Sequence, residues 1–172
     1  MREVADLVRI ERFMRTLGAE ARTGGWLYFT GGATAVLYGW RATTIDVDIR
    51  LVPEQDELLR ALPHLKEELR MNIELASPVD FIPVRPGWED RSPFIGREGT
   101  LSFHHFDLYA QALAKVERGH AQDLSDVAEM LRRGLVDSVE ARGYFAAIEP
   151  LLYRYPAIDP ESFRQAVDLA FG

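Results

Sequence analysis

At 172 residues, 47% apolar and 27% charged, the chain has the proportions of an ordinary globular protein, long enough to bury a core without disulfides or a structural metal. It contains no cysteine, which excludes zinc–thiolate, iron–sulfur, thiol-nucleophile and thiol-redox chemistry together. Its 20 basic and 27 acidic residues give a net charge of -7, so a polyanionic substrate would need a local basic patch or bound cations.

The N-terminal run Met1-Arg2-Glu3-Val4-Ala5-Asp6 mixes charge signs and lacks the apolar core of a secretory signal, so a cytoplasmic protein is expected. No apolar run approaches the ~20 residues needed to cross a bilayer, and no membrane role is expected. Apolar residues from Val4 to Leu17 recur at helical spacing and stop at Gly18. Trp26 to Thr30 reads as a short strand between glycine pairs, followed by a helix over Ala33 to Trp40. Ile45 to Leu51 alternates apolar and polar residues with period two, the pattern of a strand with one polar face. Pro53 with Glu54, Gln55 and Asp56 suits a helix start, and that helix should run to about Arg70.

Asn72 to Val84 reads as extended, with Val79 to Val84 the better strand between Pro78 and Pro83. Arg85 to Gly99 reads as a long irregular loop, of a length that is often functional, carrying Trp88 and Phe94, aromatics able to stack on a base or equally to serve buried or lid packing. Four helices follow, over Asp107 to Glu117, Ala121 to Arg133, Ser138 to Leu152 and Asp159 to Phe171. No linker separates independent domains. The expected architecture is one α+β domain over residues 1–172, a small mixed-sheet core over 1–106 followed by a helical half over 107–172.

Asp46 and Asp48 are the sharpest chemical feature. Residues two apart on a strand project from one face about 6.6 Å apart, so two carboxylates there repel unless a cation lies between them. Strand interiors disfavour Asp, and breaches of local propensity tend to mark functional sites. Mg²⁺ or Mn²⁺ resolves the conflict, since hard cations take carboxylate and phosphate oxygens. Gly31-Gly32, between strand and helix, lets a backbone approach a phosphate closely. Asp80 offers a third carboxylate, and acids on neighbouring strands can hold two cations ~3.5–4 Å apart. The bland alternatives are a solvated edge strand, a tight turn and a strand-edge turn residue. His104-His105 is a poor metal pair, because adjacent strand residues point to opposite faces.

Thr30-Gly31-Gly32, thirteen residues, then Asp46-Val47-Asp48-Ile49 resembles the signature of the DNA polymerase β-type nucleotidyltransferases, with Asp80 where their third carboxylate is expected. The stretch from Tyr28 to Gly134 is similar to the AbiEii-type toxin group, on Gly-Gly-Ala-Thr-Ala at 31 to 35, Arg41-Ala42-Thr43-Thr44, and the run from Leu113 to Asp126. The resemblance implies a metal-dependent transfer of a nucleoside monophosphate from an NTP to a hydroxyl of an RNA, such as tRNA, or of a protein. It also implies a neutralising antitoxin partner. Asp46, Asp48 and Asp80 would be the catalytic and metal-binding acids, Gly31 and Gly32 the phosphate cradle, Lys115 a catalytic residue that offsets developing negative charge, and Lys115 and Asp123 nucleotide ligands.

Lys115 also stands out without the resemblance. It lies one turn from Ala112 and two from Leu108, so it projects from a partly apolar helix face, where a cation should serve something specific. As a phosphate ligand in contact with solvent it would contribute under about 1 kcal/mol to stability. Asp123 and Asp126 share one side of the next helix, where Asp123 could orient Lys115 or contact a base or ribose; the competing reading is an exposed helix-turn-helix held by salt bridges. Two other function classes compete with the transferase. A glycosyltransferase also uses Asp-x-Asp but leaves the glycine pair and Asp80 unexplained. A non-enzymatic nucleotide-sensing or protein-binding module would keep the fold with weakened chemistry.

Overall fold

A computed structural model describes residues 3–172; Met1 and Arg2, the start of the mixed-charge N-terminal run, lie outside the described residues. The fold is mixed α+β. The chain forms two compact units, one built from the chain up to Ser77 with Ser92–Phe106, the other from Pro78–Arg91 with Asp107–Gly172.

The first unit holds a five-stranded sheet ordered β5-β4-β2-β7-β6, from β2 (Gly25–Thr30), β4 (Asp46–Val52), β5 (Asn72–Leu75), β6 (Phe94–Glu98) and β7 (Leu101–His105). β4 runs antiparallel to β2, β7 parallel to β2 and β5 parallel to β4. Period-two alternation divides the sheet. Leu27, Phe29, Val47, Ile49, Ile73 and Phe103 form the buried face, packed in one core with Ile10, Phe13 and Leu17 of α1 (Leu7–Glu20) and Leu58, Leu62 and Leu65 of α3 (Asp56–Leu69). The opposite face carries Tyr28 and Thr30, Asp46, Asp48 and Arg50, Asn72 and Glu74, and Ser102 and His104.

α1 begins later than its apolar pattern, because Asp6 accepts a hydrogen bond from the Arg9 N–H at 2.9 Å and caps it. Ala5–Asp6 forms the short β1, paired with β3 (Thr43–Thr44). Gly18 does not end the helix. A Cβ there would lie 2.6 Å from the Glu98 carbonyl oxygen, so this glycine is a close-packing residue. The segment expected as a loop over 85–99 instead contains β6, which turns back as β7 through Gly99 at φ +60°. The strand expected over Val79–Val84 is absent: Pro78–Asp80 is a 3₁₀ turn, and the strand lies earlier, at Asn72–Leu75. Pro78 and Pro83 cannot donate to a ladder, which favours pairing by the proline-free stretch before them.

His105, on the buried side of β7, stacks on Tyr38 of α2 (Gly32–Tyr38) at 4.4 Å and shares a 3.0 Å hydrogen bond with the Thr34 hydroxyl. Burial, with a smaller contribution from the charge of His104, pushes its pKa down from 6.5 to about 4. The unfolded chain therefore binds the proton first as pH falls. The stability this neutral histidine supports is complete above about pH 6.5 and drains away towards about pH 4. Between about pH 7 and about pH 5 the loss should be about 2 kcal/mol. Urea unfolding of the wild type and His105→Phe at both pH values checks this: the variant should lack that part of the slope, and parallel curves would refute it.

The second unit is helical: α4 (Leu108–Arg118), α5 (Ala121–Arg132), α6 (Ser138–Ile148) and α7 (Pro160–Phe171). α6 stops at Ile148 and continues as a 3₁₀ turn over Glu149–Arg154, where Pro150 removes a helical donor. Leu113, Val116, Val127, Met130, Phe145 and Phe163 are among its buried residues. Asp107, fully buried, caps α4 by accepting from the Tyr109 N–H at 3.0 Å.

Candidate active site

β2 delivers the chain to Gly31, which adopts φ 64° and ψ -133° before α2 begins. That conformation is open to glycine and strained for an L side chain. A Cβ on Gly31 would lie 3.3 Å from the Asp48 carboxylate oxygen Oδ2, so the missing side chain leaves room directly beside that acid. Asp48 pairs in register with Thr30 on one side and Glu74 on the other. Asp46 lies two residues earlier on the same face. Both are half-buried on a strand whose intervening residues, Val47 and Ile49, are fully buried, so β4 has little freedom to turn the acids away.

Asp46 is oriented from β5. The Asn72 amide donates to its Oδ1 and also to the Glu74 carboxylate at 3.3 Å. Asn72 and Glu74 were not singled out from the sequence, although the alternation Asn72-Ile73-Glu74-Leu75 carries the period-two signal that would have placed them on this face. The turn is braced from beneath: the Thr44 hydroxyl donates to the Asp46 carbonyl at 3.0 Å, and a Cβ on Gly32 would overlap Thr44 Oγ1. Gly31 and Gly32 thus have different tasks, the first towards the acid and the second towards the supporting side chain.

The donor set suits a hard divalent cation. Asp46 and Asp48 supply anionic oxygens from one strand face, and the space a Cβ would fill at Gly31 is where a bound group could approach them. Among the described residues no group of three or more acidic or histidine side chains is drawn together as a ready-made cage. The first unit therefore offers a two-carboxylate platform, the kind on which Mg²⁺ is completed by waters and substrate phosphates.

Gly31→Ala should cost about 1–3 kcal/mol through its positive-φ backbone. It should also weaken binding of any group held at Asp48. Gly39→Ala is the control, since Gly39 has φ 96° but open space around its missing Cβ. Thermal unfolding and Mn²⁺ titration should show similar destabilisation in both and weaker Mn²⁺ binding only in Gly31→Ala. Equal Mn²⁺ affinity would remove Gly31 from the site.

The remaining expected site residues belong to the second unit. Asp80 ends the 3₁₀ turn and is exposed. Burial, and then the charge of Asp80, raise the Tyr155 phenol, which donates to the Val79 carbonyl at 2.7 Å. Lys115 is only 4% exposed; its ammonium donates to Asp126 Oδ2 at 2.8 Å and lies 3.9 Å from Asp123 Oδ1. Arg118 donates to both oxygens of Asp123, and the Gln122 amide reaches the other oxygen of Asp126 at 3.3 Å. The motif residues of this run thus hold α4 to α5, the salt-bridge arrangement set against the phosphate role. His104, on the opposite face from His105, pairs through Nε2 with the Ser102 hydroxyl at 2.8 Å and through Nδ1 with the Ser92 carbonyl at 3.0 Å.

A family model described as "Nucleotidyltransferase of unknown function (DUF6036)" matches residues 5–152. No curated protein and no solved structure matches the chain.

Proposed function

The chain belongs to the DUF6036 family of nucleotidyltransferases of unknown function, and from that premise we propose that it transfers a nucleoside monophosphate from an NTP to a hydroxyl acceptor at the Asp46–Asp48 face of its sheet. The juxtaposition of Gly31 with the Asp48 carboxylate carries this reading, because it couples an acid pair to a turn that admits a ligand. Family membership sets the glycosyltransferase alternative aside.

Asp46 and Asp48 would hold Mg²⁺ or Mn²⁺, which when bound would offset phosphate charge and favour deprotonation of the acceptor hydroxyl. Asn72 would keep Asp46 aimed at the face by occupying one of its oxygens. Gly31 would let the phosphate chain approach without a side chain intervening, and Thr44 would hold the turn rigid beneath it. In the reaction the acceptor oxygen bonds to the α-phosphorus, the bond to the pyrophosphate oxygen breaks, and the hydroxyl proton is released. Asp80 as the third acid, and an RNA or protein acceptor with an antitoxin partner, remain parts of this proposal that rest on the AbiEii resemblance.

A second reading, a nucleotide-binding or protein-binding module without transfer, draws on the commitment of Lys115 to Asp126, which leaves its charge turned inward. Pyrophosphate release from each of the four NTPs, with total RNA and with and without Mg²⁺, separates the two. Metal-dependent release supports transfer, and nucleotide binding without release supports the module. Asp80→Asn in the same assay tests the third acid: unchanged release would remove it from the site.

A further inference from the structure

The second unit contains a cavity of about 340 Å³ whose walls include Arg85, Arg91, Tyr109, Glu140, Gly143 and Tyr144. This is within the size range of small-ligand sites. Both guanidinium groups lie against the Tyr144 ring, centred 5.5 Å and 5.7 Å from its centroid. Arg91 is fixed from three directions: Nε donates to the buried Asp107 carboxylate, and its terminal nitrogens donate to the Pro86 and Arg85 carbonyls, each at 3.0 Å. A further hydrogen bond joins this guanidinium to the Tyr144 hydroxyl, so one of its five N–H groups is left directed elsewhere. Tyr144 completes the frame, accepting from the Arg85 N–H at 3.0 Å and donating to Asp107 at 3.4 Å. Burial, then the charge of Asp107, pushes its phenol up to about 12, so it stays a neutral donor.

The charges do not cancel locally. Asp107 neutralises Arg91, whereas among the described residues no carboxylate forms an ion pair with Arg85. Glu140 forms a hydrogen bond with the Tyr109 phenol, which also accepts from the Asp137 N–H at 3.0 Å. A ligand for these walls has an oxygen-rich anionic group for the two guanidiniums, a planar ring for the half-buried Tyr109, and N–H donors for Glu140. Carboxylates satisfy a single fork, but a phosphate monoester has enough oxygens for both.

We infer that this cavity binds one nucleotide unit, its phosphate at Arg85 and Arg91 and its base against Tyr109 and Glu140. The site lies wholly within the second unit and does not depend on the Asp46–Asp48 reading. The same chemistry is presented by a free nucleoside monophosphate and by the 5′-phosphorylated end of a single-stranded RNA.

Calorimetric titration of the full chain in EDTA, which withholds any cation from Asp46 and Asp48, tests this with AMP, adenosine, inorganic phosphate and a 5′-phosphorylated tetraadenylate. AMP should bind about tenfold or more tightly than adenosine or phosphate alone. Arg85→Gln should weaken AMP by about tenfold. Gly143→Leu should do the same by filling the cavity. A Cβ at Gly143 meets nothing within 4 Å, and a leucine suits a helix better than glycine, so its Tm should not fall. Tetraadenylate binding about tenfold tighter than AMP, and lost in both variants, would identify an RNA end; equal affinities would identify the free nucleotide. AMP affinity unchanged in both variants, or no AMP binding at about 10 mM, overturns the inference.

Discussion

Lys115→Ala is expected to destabilise the protein by about 3–5 kcal/mol, the cost of stripping one partner from a buried ion pair. The ammonium sits between Asp126 and Asp123, whose side chains are 1% and 6% exposed. Without it Asp126 loses its cationic partner and keeps the Gln122 amide, and Asp123 keeps the more exposed Arg118. A phosphate ligand in contact with solvent would have predicted a change under about 1 kcal/mol, so stability separates the two roles before any nucleotide is added. The double variant Lys115→Met with Asp126→Leu should recover much of the loss, since an apolar pair of similar volume removes both charges from the interior. Urea unfolding of the three proteins decides it. A single-variant loss under about 1 kcal/mol would mean that the ammonium is not committed to Asp126, and would return Lys115 to the phosphate site.

The site residues differ in how far local sequence pattern determines their surroundings. The period-two alternation at 45–51 placed Asp46 and Asp48 on one face, and the pattern sufficed because Val47, Ile49 and Leu51 leave the strand no other way to lie. Gly31 was legible for the same reason, a local conformation that favours glycine, whereas the need for Gly32 comes from Thr44 packed against it. Lys115 was different. Its spacing revealed an amphipathic helix but not that α5 would set Asp126 against the ammonium, a fact of tertiary packing between separate segments. Asn72 fell between these cases: the alternation was present, but the prolines downstream drew the expected strand to Val79–Val84. The Arg91–Asp107–Tyr144 frame was beyond local reading, because its members are 16 and 37 residues apart. The β6–β7 hairpin was hidden by glycines that read as loop, although Gly99 is the turn that makes the hairpin possible.

Asp48→Asn is expected to reduce metal-dependent pyrophosphate release by about 10³-fold or more, since a carboxylate that binds the activating cation acts on charge developed in the transition state. Size and rotamers are preserved, and Asn can still meet Thr30 and Glu74 across the ladder, so the fold should survive. Unfolding in EDTA should show equal or greater stability, because the substitution removes one negative charge from a face that also carries Asp46 and Glu74. In Mn²⁺ the order should invert: the wild type gains stability with rising metal concentration by mass action, and the variant does not. This pairing matters because loss of activity alone could follow from unfolding. A variant that loses release, gains stability without metal and fails to respond to Mn²⁺ fits only a metal-binding carboxylate. If Asp48→Asn instead unfolds more easily in EDTA while its Mn²⁺ response matches the wild type, Asp48 is part of the scaffold, and the chemistry must be sought elsewhere on the sheet.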